Sequence, residues 1–294
     1  MKTNEALRIA GRQFNKVNIK NPAFEAEILL SYILKKPREF LFSHPNRKIS
    51  EKQITKFKAL VERRKKSEPI AYLTGNKEFY GLNFVVNKNT LIPRPETELM
   101  VEKALALTTH SAQHATLIDV GTGSGCIIIA LAKLLKLQIK NYELFAIDVS
   151  SKALAIAKKN AKFHKVDKQI KFLQGNLIEL IIKNQKLKIE NQKLIILANL
   201  PYLTPAQIKS SLSIRYEPKL ALDGGIDGLK YYRKLFAEIN VLKRKFASIS
   251  ILCEIDPSQA SKIKKLANEF FDGKKEIIKD LSKRNRIFSI VISN

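Results

Sequence analysis

The chain has 294 residues, 45% of them hydrophobic and 27% charged, which suits a soluble globular protein long enough for two domains. No apolar stretch approaches the run of about 20 residues a bilayer needs, Met1 to Asn15 lacks an apolar signal core, and Cys126 and Cys253 form neither a disulfide framework nor a metal-ligand spacing. The expectation is a cytoplasmic, metal-free protein without a membrane. The net charge of +26 is read either as attraction to RNA, the ribosome or an acidic protein, or as lysines spread over solvated faces.

Residues 1 to 75 read as helical. Pro22 suits a first turn, and Phe24, Ile28 and Tyr32 recur at helical spacing behind it. Ser50 with Gln53 fits a capping box, Ile54, Phe57 and Val61 form a stripe after it, and Arg63 to Lys66 closes that helix with positive charge. The stripes are expected to form the core of a small bundle. Around Gly81 the period shortens, with Phe79, Tyr80, Phe84, Val85 and Val86 marking a hairpin. Pro93 and Pro95 fix an extended approach to a helix that opens near Leu99.

From about residue 115 the pattern alternates. Strands are expected at Thr116 to Val120, Leu144 to Ile147, Ile170 to Leu173, Leu194 to Ala198, 247–254 and Ile287 to Ile292. Helices are expected at Cys126 to Leu137, Ser151 to Phe163 and 228–244, with Ile182 to Lys193 a polar, lysine-rich, exposed helix end and loop. Short apolar strands between helices argue for a parallel sheet covered on both faces. On the helix at 151–163 and just beyond it, Lys158, Lys162 and Lys165 share a face, but no aromatic residues alternate with them as a platform for bases would require.

The first of these strands runs into Gly121-Thr122-Gly123-Ser124-Gly125 and at once into a helix. Glycines serve where the backbone must turn sharply and let a ligand come close. At the carboxyl edge of a parallel sheet this is a nucleotide-binding turn. Its G-x-G-x-G spacing, with Asp119 before it, differs from the G-x-G-x-x-G of pyrophosphate binders. Asp148 ends the second strand, where a carboxylate can accept both hydroxyls of a ribose; the competing role is a helix cap. After the third strand, Asn176 and Leu177 are candidates to meet an adenine, with Asn176 standing where an acid is common.

The fourth strand ends in Asn199-Leu200-Pro201-Tyr202. Asn and Pro also make ordinary turns, but this position lies beside the glycine loop, where an open parallel sheet binds ligands. The tetrapeptide resembles the N-P-P-Y/F motif of methyltransferases acting on nitrogens conjugated to a planar system. An amide nitrogen is a poor nucleophile. The Asn199 side-chain oxygen and the Leu200 carbonyl can accept its two N–H bonds, and Tyr202 can pack on the planar group. Rate then comes from positioning and preorganised dipoles.

With both motifs in place, the chain resembles the peptide-chain release factor glutamine methyltransferases (PrmC/HemK family). Further blocks carry the likeness: Glu68 to Gly75, Glu78 to Leu82, Pro93 to Glu98, which by that likeness lies near the active site, Glu217 to Leu229, broken at Ile226, and Lys279 to Ser282. The resemblance implies an α/β fold, with a Rossmann-like seven-stranded methyltransferase domain (115–294) after a helical substrate-recognition domain (1–75) and a hairpin linker with connecting helix (76–114). It implies S-adenosyl-L-methionine as cofactor, held by Asp119, Gly121 to Gly125, Asp148, Asn176, Leu177 and Asn199. It implies class I release factors as partners, the glutamine of their Gly-Gly-Gln tip as substrate, and Arg94 and Glu96 near that substrate with Asn199 to Tyr202. A monomer is expected. The departure is Leu200, where the family has proline. Asn-Leu-Pro-Tyr is the form of ribosomal RNA adenine methyltransferases, the alternative reading, whose helical domain follows the sheet rather than preceding it. A non-enzymatic RNA-binding protein with a degenerate methyltransferase fold is a third reading, which the intact glycine loop and Asn199 oppose.

Overall fold

The computed structural model describes residues 1–109, 115–135, 142–183 and 193–293. These fall into two units: Met1–Asn76 with Leu212–Tyr216, and Lys77–Ser211 with Glu217–Asn294. Among the described residues no helix is long and apolar enough to cross a membrane.

The first unit holds α1 (Thr3–Lys16), α2 (Pro22–Leu34), α3 (Arg38–Ser43), α4 (Glu51–Lys65) and α5 (Ile70–Thr74). The capping box of α4 is formed: Gln53 N donates to Ser50 Oγ, and Ser50 N donates to Gln53 Oε1 at 3.3 Å. Such a cap contributes about 1 kcal/mol. Phe57, Leu60 and Val61 of α4 pack with Ala6, Ala10 and Phe14 of α1 and with Ala26, Leu29 and Leu30 of α2. The stripe expected on α2 is corrected here. Phe24 and Tyr32 are each 46% exposed. Helix α2 is apolar on nearly every side, so its sequence offers several stripes, and the bundle buries the one whose small Ala26 lets helices approach. Phe24 instead lies beneath the Arg38 guanidinium, 4.3 Å from the ring centroid.

The second unit opens with the hairpin of β1 (Asn76–Phe79) and β2 (Leu82–Val85), whose turn places Tyr80 and Gly81 at φ +53° and +70°. Two left-handed residues give the turn that matches the twist of paired strands. Asn160, fully buried, ties the hairpin down: its side chain accepts from Val85 N at 2.8 Å and donates to the carbonyls of Val85 and Ser124. After the extended segment at Ile92–Arg94 comes α6 (Glu98–Thr109).

The sheet follows: β3 (Ala115–Val120), α7 (Cys126–Leu135), β4 (Tyr142–Asp148), α8 (Ser151–Phe163), β5 (Ile170–Gln174), α9 (Glu179–Lys183), β6 (Lys193–Ala198), α10 (Pro205–Ser210), α11 (Lys230–Leu242), β7 (Ser248–Glu254), α12 (Ala260–Asn268), β8 (Lys274–Lys279) and β9 (Asn285–Ser293). Seven strands lie in the order β5-β4-β3-β6-β7-β9-β8. The run from β5 to β7 is parallel, while β9 pairs antiparallel with both β7 and β8. The expected sheet is thus parallel except at one edge. Helices α10 and α12 and strand β8 are additional to the elements expected, and α9 supplies the helix end expected at Ile182; β8, Lys-Lys-Glu-Ile-Ile-Lys, carries four charges in six residues because it forms an edge. The end expected for the helix from Cys126, at Leu137, and most of the segment Ile182 to Lys193 lie outside the described residues.

Alternate residues of the strands serve opposite faces. Ile118, Val120, Leu194, Ile196 and Ala198 face the layer of α11 and α12, while Ala115, Leu117, Ile195 and Leu197 face that of α6 and α7. Each buried Leu or Ile contributes about 1.5–3 kcal/mol. That explains why the central strands read as mostly apolar runs.

Candidate active site

The register of the parallel strands lines up one row of residues at the carboxyl edge. Val120 is level with Ile147 of β4 and Ala198 of β6, and Ala198 with Cys253 of β7. The next residue on each strand therefore forms the row Asp148, Gly121, Asn199, Glu254. Strand order reverses between β3 and β6, the point at which open α/β sheets bind ligands. A cavity of about 340 Å³ opens there.

The glycine loop supplies its floor. Gly121, Gly123 and Gly125 have φ of +74°, +56° and +81°, a region that L side chains rarely adopt. Gly121 and Thr122 both donate to the Ile147 carbonyl. A Cβ at Gly125 would stand 2.8 Å from Ile129 Cδ1 and 3.2 Å from Ala157 Cβ, so this glycine lets α7 and α8 approach. The cavity is lined by Gly121 to Ser124, Asp148, Asn176, Leu177, Asn199, Leu200, Pro201 and Arg94, while Asp119, Gly125, Tyr202 and Glu96 stand off its wall.

Asp148 holds the loop as well as facing the cavity. Its Oδ2 accepts from Gly123 N at 2.9 Å and its Oδ1 from Ser150 N at 2.8 Å. Each oxygen keeps a further lone pair. Burial pushes its carboxyl above the usual range, opposed by the Ser150 and Gly123 amides. The cap of α8 is Ser150, which accepts from Ala153 N. Asp119 lies behind the loop, fully buried. Its Oδ2 accepts from Thr122 Oγ1 at 2.6 Å, and among the described residues its Oδ1 has no hydrogen-bond partner. Desolvation raises its pKa to about 7. Leu177 is in the left-handed region and buried, and Asn176 is exposed at the rim.

On the other wall, Asn199 Nδ2 donates to Thr97 Oγ1 at 3.2 Å and to Glu254 Oε2 at 3.1 Å. Thr97 Oγ1 donates to the same Oε2 at 2.6 Å, and Tyr202 Oη to Glu254 Oε1 at 3.2 Å. Behind Tyr202 the backbone is packed tightly. Gln259 Nε2 donates to its carbonyl at 2.8 Å, and a Cβ at Gly224 would stand 2.6 Å from the Pro201 carbonyl. Arg94 is held by Glu217, a nearly buried carboxylate that also accepts from Ile92 N at 3.0 Å.

Residues 5–75 match the family model described as the PrmC N-terminal domain, and residues 111–271 match a methyltransferase domain model. The chain is 33% identical over 295 residues to the release factor glutamine methyltransferase of Bacillus subtilis, covering 98% of this chain and 97% of that one. The chain belongs to the release factor glutamine methyltransferase family. Its counterpart in Dictyoglomus turgidum is 32% identical over 270 residues, covering 92% and 90% of the two chains. The bifunctional methyltransferase of Rickettsia typhi is 33% identical over 306 residues; this chain spans 56% of that protein's length, about half. Among solved structures, the hMettl16 catalytic domain in complex with an RNA hairpin superposes with a TM-score of 0.55 at 15% identity, over 90% of this chain and 92% of that one, a likeness of fold.

Against the family pattern, Leu200 is the substituted position. Its side chain is buried in the core and would touch a Cβ at Gly121 at 3.2 Å. Unlike proline it carries a backbone N–H and leaves the φ of that position free. Glu254 and Val149 are site residues that no motif marked, while Thr97 and Glu217 fall in the blocks Pro93 to Glu98 and Glu217 to Leu229 without a role read for either. Glu254 was legible only as an acid closing an apolar strand. Val149, 49% exposed on the cavity wall beside Asp148, was legible as an apolar residue following the acid.

Proposed function

We propose that this chain transfers a methyl group from S-adenosyl-L-methionine to the side-chain amide nitrogen of the glutamine in the Gly-Gly-Gln tip of class I peptide-chain release factors, in the cytoplasm. The observation that carries the reading is Asn199 on the cavity wall one strand from the glycine loop, in a chain whose full-length relatives are release factor glutamine methyltransferases. Those relatives favour this substrate over ribosomal RNA.

The cavity fits the cofactor. Its volume falls within the range of about 300–1,000 Å³ for small-molecule sites. Asp148 offers a carboxylate to ribose hydroxyls, and Val149 and Leu177 offer apolar contact to a ring. The unpartnered Asp119 Oδ1, buried behind the loop, suits a cationic group. Bound there, S-adenosyl-L-methionine supplies a methyl group on a sulfonium.

The protein's own part is positioning. The amide nitrogen of glutamine has two N–H donors and a delocalised lone pair. Asn199 Oδ1 accepts one donor and the Leu200 carbonyl the other, which turns the nitrogen toward the methyl and favours the charge that develops on it. The carbonyl of Leu200 is held in place because the chain around Pro201 and Tyr202 is pinned by Gln259 and Gly224. Rate then follows from preorganised acceptors rather than from a covalent step. Arg94, anchored by Glu217, stands at the substrate side, and the helical unit is the recognition domain for the release factor.

The test is incubation with labelled S-adenosyl-L-methionine, a purified release factor, its Gln→Ala tip variant, and ribosomal RNA. Label is expected in the wild-type factor alone. Label in RNA, or equal label in the tip variant, overturns the reading.

A further inference from the structure

Glu254 has no counterpart in the motifs that identify the site, yet it is the most connected group beside Asn199. It is the last residue of β7, 1% exposed, and level with Asn199 across the sheet. Three donors converge on its two oxygens. Asn199 Nδ2 and Thr97 Oγ1 share Oε2 at 3.1 and 2.6 Å, and Tyr202 Oη takes Oε1 at 3.2 Å. Asn199 Nδ2 also reaches Thr97 Oγ1 at 3.2 Å. Its own backbone carbonyl accepts from the buried Tyr232 hydroxyl.

A side-chain amide has two faces, one donating and one accepting. With no acid nearby, Asn199 could turn either face to the cavity. An ionised carboxylate only accepts, so Glu254 selects the rotamer in which Nδ2 turns away from the cavity. The oxygen is then the atom left for a ligand. Turning the amide over would press Oδ1 against a buried carboxylate and leave Nδ2 without its two partners, an arrangement a desolvated site disfavours strongly. Thr97 reinforces the choice. Its hydroxyl gives its single proton to Glu254, so toward Asn199 it can only accept.

We propose that Glu254, acting with Thr97, is a positioning residue that locks the Asn199 carboxamide with its oxygen toward the substrate nitrogen, while holding Tyr202 by its hydroxyl. The proposal deepens the methyltransferase reading and rests on it for its catalytic consequence. It also gives the ionised form of Glu254 a task. Protonation would replace an acceptor with a donor among three donors and release the lock. The groups that bear on that protonation are the three donors, Tyr232 on the backbone carbonyl, Arg286 and Glu96. Arg286, held by Asp280 at 3.1 Å, favours the carboxylate, and Glu96 opposes it. Burial pushes the carboxyl up, so the lock fails on the acid side of the activity profile.

Two variants and one spectroscopic readout test this in the full chain. Glu254→Gln keeps size and one acceptor but adds a donor. It is expected to lower kcat about 10- to 100-fold, the effect typical of outer partners that orient a reacting group, with cofactor Kd within twofold of wild type. It should also remove the acid limb from the pH dependence of kcat. Thr97→Val should lower kcat about tenfold, and Thr97→Ser, which restores the hydroxyl, should recover it. If Glu254→Gln fails to fold, the Thr97 pair decides. Independently of any substrate, the side-chain amide resonances of Asn199 in ¹⁵N-labelled protein should titrate with acid in wild type and not in Glu254→Gln. Normal kcat with an unchanged pH profile in folded Glu254→Gln, or equal loss in Thr97→Ser and Thr97→Val, overturns the proposal. If wild type methylates no release factor while the Asn199 resonances titrate as described, the substrate reading falls and the lock stands. Resonances indifferent to pH in wild type overturn the lock.

Discussion

Asp119→Asn should stabilise the cofactor-free protein at alkaline pH and weaken cofactor binding, two effects that oppose each other. The carboxyl is fully buried with a pKa raised from 3.8 to about 7, and its Oδ1 has no partner among the described residues. A raised acid pKa means that the folded chain binds the proton more tightly than the unfolded one. Its contribution to stability is therefore full below the unfolded value, near 4, and lost as pH rises through about 7. Across about three pK units the ionisation penalty reaches about 4 kcal/mol at pH 8. Asparagine escapes that penalty and keeps an acceptor for Thr122, but it buries an amide with no acceptor opposite, which costs about 1–3 kcal/mol. The net expectation is a gain of about 1–3 kcal/mol at pH 8 and a loss of about 1–3 kcal/mol at pH 4. Urea unfolding of both proteins at the two pH values measures this. Calorimetry at pH 8 should show cofactor affinity lower by about tenfold, the effect of losing a charge that acts on a cationic group across the loop rather than by direct contact. A stability difference of the same sign and size at both pH values would refute the reasoning, because it would mean that Asp119 does not titrate in the folded chain.

Other expectations follow from the same geometry. Asn199→Ala should keep the fold and much of the cofactor affinity while losing about 10²–10³ in turnover; Asn199→Asp should fail as well, since a carboxylate there faces Glu254, and near-normal single-turnover rates in both would remove Asn199 from the mechanism. Asp148→Ala should weaken cofactor binding by about 1.5–3 kcal/mol, and calorimetry showing wild-type affinity in the folded variant would end its assignment to the ribose. If the net charge of +26 recruits the release factor, raising ionic strength should raise the KM for the factor more than that for cofactor; equal indifference of both would return the lysines to solvated surface.

The elements legible in the sequence were those whose signal is local. The glycine loop announced itself because three positive φ angles in five residues leave little choice of residue type. The central strands β3 and β6 were readable because burial on both faces makes them largely apolar, β3 interrupted by Thr116 and Asp119 and β6 apolar from Leu194 to Ala198. The box at Ser50 and Gln53 was readable because a cap is a contact between near neighbours. Strand β8 escaped, being an edge rich in lysine, and the apolar face of α2 was misassigned, because an all-round apolar helix leaves the choice of face to its neighbours.

The chain by itself determined which chemistry the site can carry: a tight turn for a nucleotide-like ligand, an acid at the next strand end, and an asparagine followed, after Leu200, by a rigid Pro-Tyr. What the tertiary structure decided is how those groups are aimed. Glu254 lies 55 residues from Asn199 in sequence, and Thr97 lies 102 away. No periodicity or motif links them. They meet because parallel pairing of β6 with β7 puts strand ends level, and because the segment after the hairpin carries Thr97 to that edge. Sequence patterns record the backbone conformations and burial that each residue requires. Register between strands distant in the chain is set by packing, and so is the orientation of a buried amide.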